Sequence, residues 1–198
     1  MKKISIIISL LISHDSFSQQ IATKTIQPSV LRKIVSDDAI VEKALQFEDK
    51  NGKNYLVATT LQNRSDEWES KAILVQHYIE KSNKKLVLLR QITDKEDHCE
   101  LDNDLQFLTE SLRITDLDKN NYAEITFLFK VGCRSDVSPI GLKLMVIENG
   151  NQAAIKGKTL PRGFNYKKEK VADSTFQKLP KQIQDQANKL WEKFAPEF

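Results

Sequence analysis

Alternating apolar and polar positions dominate the middle of the chain, and this period of two is typical of β-strands with one buried face. The alternation predicts four hairpins between residues 42 and 157. Asn51-Gly52 and Asn149-Gly150 mark two of the turns, because both residue types tolerate positive φ. The paired strands are residues 42–48 with 55–61, 72–79 with 86–92, 105–115 with 124–131, and 142–148 with 152–156.

The segments around these hairpins have less regular patterns. Residues 30–41 fit a short helix or an entry strand, and the first half of 105–115 fits a strand or a helical turn. The acidic stretch 94–104 is expected to be a solvated loop rather than a ligand site. Residues 156–170 are basic and include Pro161, which predicts another loop.

The C-terminal part of the chain changes to helical spacing. Pro180 suits the first turn of a helix, so we expect the main helix to begin there. We interpret its apolar stripe as a core contact rather than a partner-binding surface. The predicted fold class is mainly β, a hairpin meander that is sandwich-like or partial-propeller-like, with a C-terminal α-helix. The stripe consists of Phe176, Leu179, Ile183, Ala187, Leu190, Trp191 and Phe194.

The N-terminus has the three parts of a secretory signal peptide. Lys2 and Lys3 precede an apolar run at residues 4–12, and small residues at Ser16 and Ser18 predict cleavage after Ser18. This run is much shorter than the roughly 20 residues that cross a bilayer. The alternative is a buried N-terminal element that is never removed. The predicted divisions are a signal peptide at 1–18, an N-terminal segment at 19–41, a β-rich core at 42–157, and a basic loop and helix at 158–198.

Charge and cysteine content limit the partners and the compartment. The formal charge is +3 for the full chain and falls to +2 when residues 1–18, with two lysines and one aspartate, are removed. Such a small excess does not indicate nucleic-acid binding. Cys99 and Cys133 are an even pair, which in an oxidising compartment indicates a disulfide worth up to about 4 kcal/mol. Two free buried thiols are the alternative.

Residues 116–124 carry the one motif with evident chemistry. Oxygen-bearing side chains occupy its odd positions, and Tyr122 at position seven can offer its backbone carbonyl. Calcium takes six to eight hard oxygen ligands, and this spacing lets one loop wrap an ion. Asn121 stands where such loops normally have glycine, because positive φ is needed there. A turn that holds no ion is the alternative. The side-chain ligands are predicted to be Asp116, Asp118, Asn120 and Glu124.

The flanking sequence distinguishes between calcium-loop types. Phe127 stands where an EF-hand needs its twelfth-position glutamate, which excludes that motif. The order Asp-x-Asp-x-Asn-x-x-x-Glu before a strand resembles FG-GAP-type calcium loops, which are integrin-propeller-like. In that family the acids and the amide ligate calcium and brace a hairpin. Asp49-Lys50-Asn51-Gly52 is a partial echo that lacks two of the ligands, so we interpret it as a turn without metal.

A wider resemblance covers residues 42–157. The segments 114–125, 131–139 and 142–148 resemble an uncharacterised family of exported bacterial proteins often labelled, by automatic naming, as surface polysaccharide biosynthesis proteins. The resemblance implies an exported protein linked to surface polysaccharide. It brings no catalytic residue with it. The predicted signal peptide, without a lipid-attachment cysteine or a second apolar span after it, predicts a soluble periplasmic or secreted product.

Arg134 and Asp136 lie beside Cys133 and are a possible ligand-binding pair, although a local ion pair is the favoured interpretation.

The leading hypothesis is an exported non-catalytic binding or structural domain of the cell envelope. Its partner is expected to be an envelope glycan or protein. The alternative is a glycan-processing or glycan-biosynthesis enzyme with dispersed acidic residues. A binding groove is expected to use an exposed aromatic residue such as Trp68 or Tyr78.

Overall fold

A computed structural model describes residues 20–197, and over this range strands account for 54% and helices for 12% of the chain. The mainly β fold class with a C-terminal helix is confirmed. The predicted signal peptide at 1–18 lies outside the described residues, and the predicted domain divisions stay predictions. Within the described range, no helix is long and apolar enough to cross a bilayer.

Two antiparallel meanders make up most of the fold. The first sheet contains, in chain order, β1 (Lys24–Thr25), β2 (Ile40–Asp49), β3 (Gly52–Arg64), β4 (Glu69–Glu80) and β5 (Leu86–Cys99). A four-residue helix, α1 (Pro28–Leu31), precedes β2. The chain continues through β6 (Asp102–Asn103), β7 (Gln106–Thr115), β8 (Glu124–Val131), β9 (Cys133–Arg134), β10 (Gly141–Glu148), β11 (Asn151–Lys158), β12 (Leu160–Pro161), β13 (Lys170–Ala172), a 3-10 turn (Phe176–Lys178), α2 (Lys181–Phe194) and β14 (Pro196–Glu197).

The second sheet has the order β13-β11-β10-β8-β7 and packs face to face on the first sheet. Alternate residues of β3 point inward, so Leu56 and Ala58 meet Phe127 and Phe129 of β8 in the shared core. Phe47 from β2 joins the same cluster. The arrangement is the sandwich-like form of the predicted meander.

Helical or irregular segments cover both outer faces of the sandwich. On the second sheet, Leu144 and Ile155 pack against Ile183 and Trp191 of α2. On the first sheet, α1 and the turn after it cover Tyr55 and Val57. The apolar stripe of α2 is therefore a core contact, as predicted. The helix begins at Lys181 with Pro180 as its N-cap, one residue after the predicted start.

The two short Asn-Gly turns both connect antiparallel strands, but their backbone dihedral angles differ. Asn149 (φ 44°) and Gly150 (φ 79°) both adopt positive φ between Glu148 and Asn151, as the Asn-Gly pattern predicted. In the β2–β3 turn only Gly52 has positive φ (87°), whereas Asn51 does not. The predicted hairpin is present there, but glycine alone supplies the unusual conformation.

The acidic stretch 94–104 was expected to be a solvated loop, and that expectation is wrong for its first half. Strand β5 continues to Cys99 and pairs along β4. The pattern misleads because β5 is an edge strand, where charged side chains on the open face discourage pairing with another chain. The whole of 106–115 is strand, with an irregularity between Leu108 and Arg113.

One end of the sandwich, here called the disulfide end, is fixed by the Cys99–Cys133 bond, which confirms the predicted pair (Cα–Cα 5.6 Å). The ion pairs of buried Arg134 also stabilise this end. Its guanidinium donates to Asp104 Oδ2 (2.6 Å) and to Glu197 Oε2 (3.1 Å). Lys130 Nζ also donates to Glu197 (2.5 Å). Because Glu197 is in β14, which pairs with β12, these contacts anchor the last described residues.

Replacing Glu197 by glutamine is expected to destabilise the fold by about 3 kcal/mol, since it removes the buried carboxylate shared by Arg134 and Lys130 and leaves the Arg134 guanidinium paired only with half-exposed Asp104. Burial alone would raise the pKa of Glu197, but hydrogen bonds from Arg134, Lys130 and Thr159 outweigh it and lower the pKa. The stabilisation is therefore present above the ordinary pKa and is lost as pH falls through the lowered one.

Urea unfolding at pH 7 and at acid pH measures this contribution. The exposed Lys181–Asp185 pair is the matched control, and Asp185→Asn is expected to cost less than about 0.5 kcal/mol. An equal, small loss in both variants would contradict the assigned role of Glu197.

Candidate functional site

The loop between β7 and β8 brings three of the five predicted ligands together. Carboxylate oxygens of Asp116, Asp118 and Glu124 all lie within 4.8 Å of one another, which is close enough for them to hold one metal ion. Asp116 and Glu124 are buried, whereas Asp118 is half-buried. The backbone makes this possible at Asn121, whose φ of 69° supplies the sharp turn expected at the sixth position.

The other two predicted ligands take part in the internal bonding of the loop. Asn120 Nδ2 donates to Asp118 Oδ2 (2.9 Å), and Asn120 Oδ1 accepts from the Tyr122 amide (2.7 Å). The Tyr122 ring lies under Lys50 Nζ at 4.8 Å. Ligand roles for the Asn120 amide and the Tyr122 carbonyl stay predictions.

Glu124 is the most enclosed member of the cluster. Its carboxylate accepts from Thr115 Oγ1 (2.8 Å) and from the Leu117 amide (2.9 Å), so it ties both ends of the loop together. Burial raises the pKa of Glu124 to about 6, against the opposing effect of these hydrogen bonds. The charge of Asp118 raises it further.

Glu148 belongs to the same acidic cluster, and sequence reasoning missed it. The register of β10 on β8 places Glu148 directly opposite Glu124, and the Asn120 amide donates to it. Burial raises the pKa of Glu148, with Asp118 and Asp116 adding to the shift. Only strand pairing reveals this neighbour, because the residue is remote along the chain.

The Asp49 turn, interpreted from sequence as a turn without metal, braces the loop. Asp49 Oδ2 accepts from the Ala123 amide (3.0 Å), and the Lys50 amide donates to the Asn121 carbonyl (2.7 Å). The available signal was the Asp-Lys-Asn echo between the two segments. The loop, the β2–β3 turn and the β10–β11 turn therefore meet at one end of the sandwich, here called the turn end.

Negative charge at the turn end is not neutralised by basic side chains of the protein. Between residues 20 and 197, no lysine, arginine or histidine forms an ion pair with Asp116, Asp118, Glu124 or Glu148. Hard carboxylate oxygens that repel one another are the donor set that binds a divalent cation such as calcium. The residues present therefore fit a cation.

The residues Arg134 and Asp136 are not brought together as a ligand-binding pair of the expected kind. Arg134 points inward to Asp104 and Glu197, whereas the Asp136 carboxylate accepts from the Ser138 amide (2.8 Å). Hydrogen bonds from the side chain and the amide of Ser138 lower the pKa of Asp136. Arg134 therefore serves the fold, and a ligand-binding role for Asp136 stays a prediction.

A cleft of about 580 Å³ opens at the disulfide end, between the β3–β4 loop and the β5–β6 turn. Half-buried Trp68 lies at the cleft and packs on His98 with ring centroids 4.5 Å apart. Tyr78, the other aromatic candidate, packs instead against the segment around α1. Acidic side chains outnumber basic ones in the lining, which holds Asp66, Glu67, Glu69, Glu100, Asp102 and Asp104 against Arg64 and Lys71.

The acids of this cleft differ in how they are paired. Glu69 pairs with Lys71 (3.1 Å) and Asp104 pairs with Arg134. In the described part of the chain, the other four acids form no ion pair, so their oxygens are open to a ligand. Sequence analysis missed this cleft because its lining comes from two connections that are remote in sequence.

No protein-family model, curated protein or solved structure matches the chain.

Replacing Glu124 by glutamine is expected to remove a pH dependence from folding stability. In metal-free buffer, the native state binds a proton more tightly than the unfolded chain, since the pKa is raised from 4.5 to about 6. The free energy of unfolding should therefore fall as pH rises through this window, and the variant should flatten that slope. Thermal unfolding from pH 4 to 7 measures it. Glu110→Gln, at an exposed position, should keep the wild-type slope.

Proposed function

We propose that this chain is an exported binding domain of the bacterial cell envelope that binds glycan in the cleft beside the disulfide and holds calcium in the 116–124 loop. The observation that carries the glycan assignment is the combination of Trp68 with unpaired carboxylates in one open cleft of about 580 Å³. Volume of this order suits one or two sugar rings.

The chemistry of the cleft suits carbohydrate better than other ligands. An indole ring offers a flat apolar face on which the C–H face of a sugar can pack. Carboxylates such as Asp66 and Asp102 accept hydrogen bonds from sugar hydroxyl groups. The acidic excess repels uronic acids and phosphates, so the proposed substrate class is a neutral or amino-bearing glycan.

Export is supported by the disulfide. A bond between Cys99 and Cys133 persists in an oxidising compartment and is rare in the reducing cytoplasm. The resemblance of residues 42–157 to exported proteins linked with surface polysaccharide points in the same direction, and so does the leader predicted at 1–18. The proposed location is periplasmic or secreted.

The calcium loop is proposed to brace the sandwich rather than to contact the glycan. It lies at the turn end, whereas β3 runs from that end to the cleft, and a strand of this length spans roughly 40 Å. Two or three carboxylates and weak amide or carbonyl ligands suit the millimolar calcium found outside cells. Asp49 and Glu124 link the braced loop to both sheets.

A glycan-processing enzyme is the second candidate, and the number of acids in the cleft favours it. Glycosidases use two carboxyl groups about 5 to 10 Å apart. Asp66, Glu67, Glu100 and Asp102 are the residues from which such a pair would come. Release of reducing ends from the bound glycan would favour the enzyme over the binding domain.

Calcium at 10 mM is expected to raise the unfolding temperature by about 3 to 6 °C at pH 7.5, as a site with Kd near 1 mM contributes about 1.4 kcal/mol. Asp116→Asn with Asp118→Asn should abolish the shift, and Asp38→Asn, at an exposed position, should not. The shift should shrink below pH 6, because calcium competes with the proton on Glu124. An equal response to magnesium, or none to calcium, would argue against the site.

Trp68→Ala is expected to weaken glycan binding at least about tenfold, which is roughly 1.4 kcal/mol. A glycan array identifies a ligand, and titration by intrinsic fluorescence measures its affinity. The chain has two tryptophans, and Trp191 is buried on the inner face of α2, so quenching on binding reports Trp68. Asp66→Asn and Asp102→Asn should weaken binding, whereas Asp97→Asn, outside the cleft lining, should not. Binding that survives Trp68→Ala unchanged would refute the cleft.

A further inference from the structure

A second surface of distinct chemistry lies between β12 and β13. Every residue from 162 to 169, here called the basic loop, is exposed. Phe164 is 58% exposed and Tyr166 is 37% exposed, and their rings lie beside each other with centroids 5.6 Å apart. Two adjacent aromatic rings on a solvated loop leave apolar area in water, so another surface is expected to cover them.

Positive charge surrounds this aromatic pair. In the described part of the chain, Arg162, Lys167 and Lys168 have no carboxylate within ion-pair distance. The one acid of the loop, Glu169, lies 3.8 Å from Lys158 and is thereby partly neutralised. The basic loop therefore presents a net positive charge around two aromatic side chains.

We propose that the basic loop is a membrane-surface contact, in which Phe164 and Tyr166 enter the interfacial region of a bilayer while Arg162, Lys167 and Lys168 meet anionic headgroups. Aromatic rings prefer the level of the headgroups, and lysine or arginine beside them is attracted to anionic lipid. An exposed aromatic pair suits the flat surface of a bilayer, whereas small ligands are usually held in a concave pocket.

The position of the loop relates this contact to the cleft. Strand β11 runs from the turn end to Lys158 at the disulfide end, and the basic loop follows it there. The cleft around Trp68 also opens at the disulfide end. Docking through the basic loop would therefore turn the cleft towards the membrane surface. The membrane contact stands independently of what the cleft binds.

The cleft and the basic loop carry opposite charge, so they are expected to bind ligands of different charge. The cleft has an excess of acids and repels anionic lipid, whereas the basic loop attracts it. The formal charge of +3 for the whole chain does not reveal that acidic and basic residues are concentrated on different surfaces.

Co-sedimentation of the purified protein with phosphatidylcholine vesicles, with and without about 30% phosphatidylglycerol, tests the proposal. Binding is expected only to the anionic vesicles and should fall as salt is raised. Lys167→Gln with Lys168→Gln should lower the partition coefficient on the order of 30-fold. Phe164→Ser with Tyr166→Ser should lower it on the order of tenfold, since the aromatic area no longer leaves water.

Lys81→Gln with Lys85→Gln, in the exposed β4–β5 turn, makes the same charge change elsewhere and should leave binding unchanged. Unfolding temperatures should match wild type in all three double variants, because the altered side chains are exposed. Equal binding to neutral vesicles, or an equal loss in the Lys81 and Lys85 control, would overturn the proposal. Binding to soluble dextran sulfate without binding to vesicles would assign the loop to a polyanion instead. None of these outcomes depends on glycan binding by the cleft.

Discussion

Burial of the second sheet on both faces is the constraint on which the rest of the structure depends. Ile125 and Phe127 of β8 pack against the first sheet, while Leu128 and, on β10, Leu144 pack against the α2 side. A strand that is apolar on both faces satisfies its backbone only within its ladder, and it needs a cover on each side. The first sheet supplies one cover and α2 the other. The anchoring of β14 by Glu197 follows from the same need, because it fixes the end of the helix that closes the second face.

Antiparallel pairing then divides the connections between two ends with different chemistry. The turn end gathers the acidic loop and two hairpin turns, and its polar contacts reach into the core. Asp49 accepts from Asn54 (2.7 Å), which in turn bonds to His77 Nε2 (2.8 Å). Burial lowers the pKa of His77 to about 4, so the ring is neutral near pH 7 and is tolerated between the sheets. The acidic loop is thus connected to the interior of the first sheet by hydrogen bonds and not only by the chain.

The disulfide end carries the groups that can meet other molecules. A covalent bond and a buried ion network hold β5, β9 and β14 there, so the short connections around the cleft are fixed in position. Rigid support of this kind lowers the entropy cost of binding on loops. An acidic cleft and a basic aromatic loop on one end give the molecule two surfaces of opposite preference. The net charge of the whole chain sums the acidic and the basic surface and therefore reveals neither. It excludes only proteins that bind polyanions through a large overall positive charge.

Local sequence determined the hairpins, the α2 stripe and the grouping of Asp116, Asp118 and Glu124 in the 116–124 loop, because each depends on residues close in sequence. It also indicated the Cys99–Cys133 pair through composition. Tertiary structure alone decided the rest. The acidic stretch became an edge strand because β4 pairs with it, and Glu148 joined the cluster through the register of β10 on β8. Arg134 found its buried carboxylate 63 residues away at Glu197. Such contacts join residues that are remote in sequence. They depend on how strands pair and how sheets stack, and the pattern of neighbouring residues does not specify either.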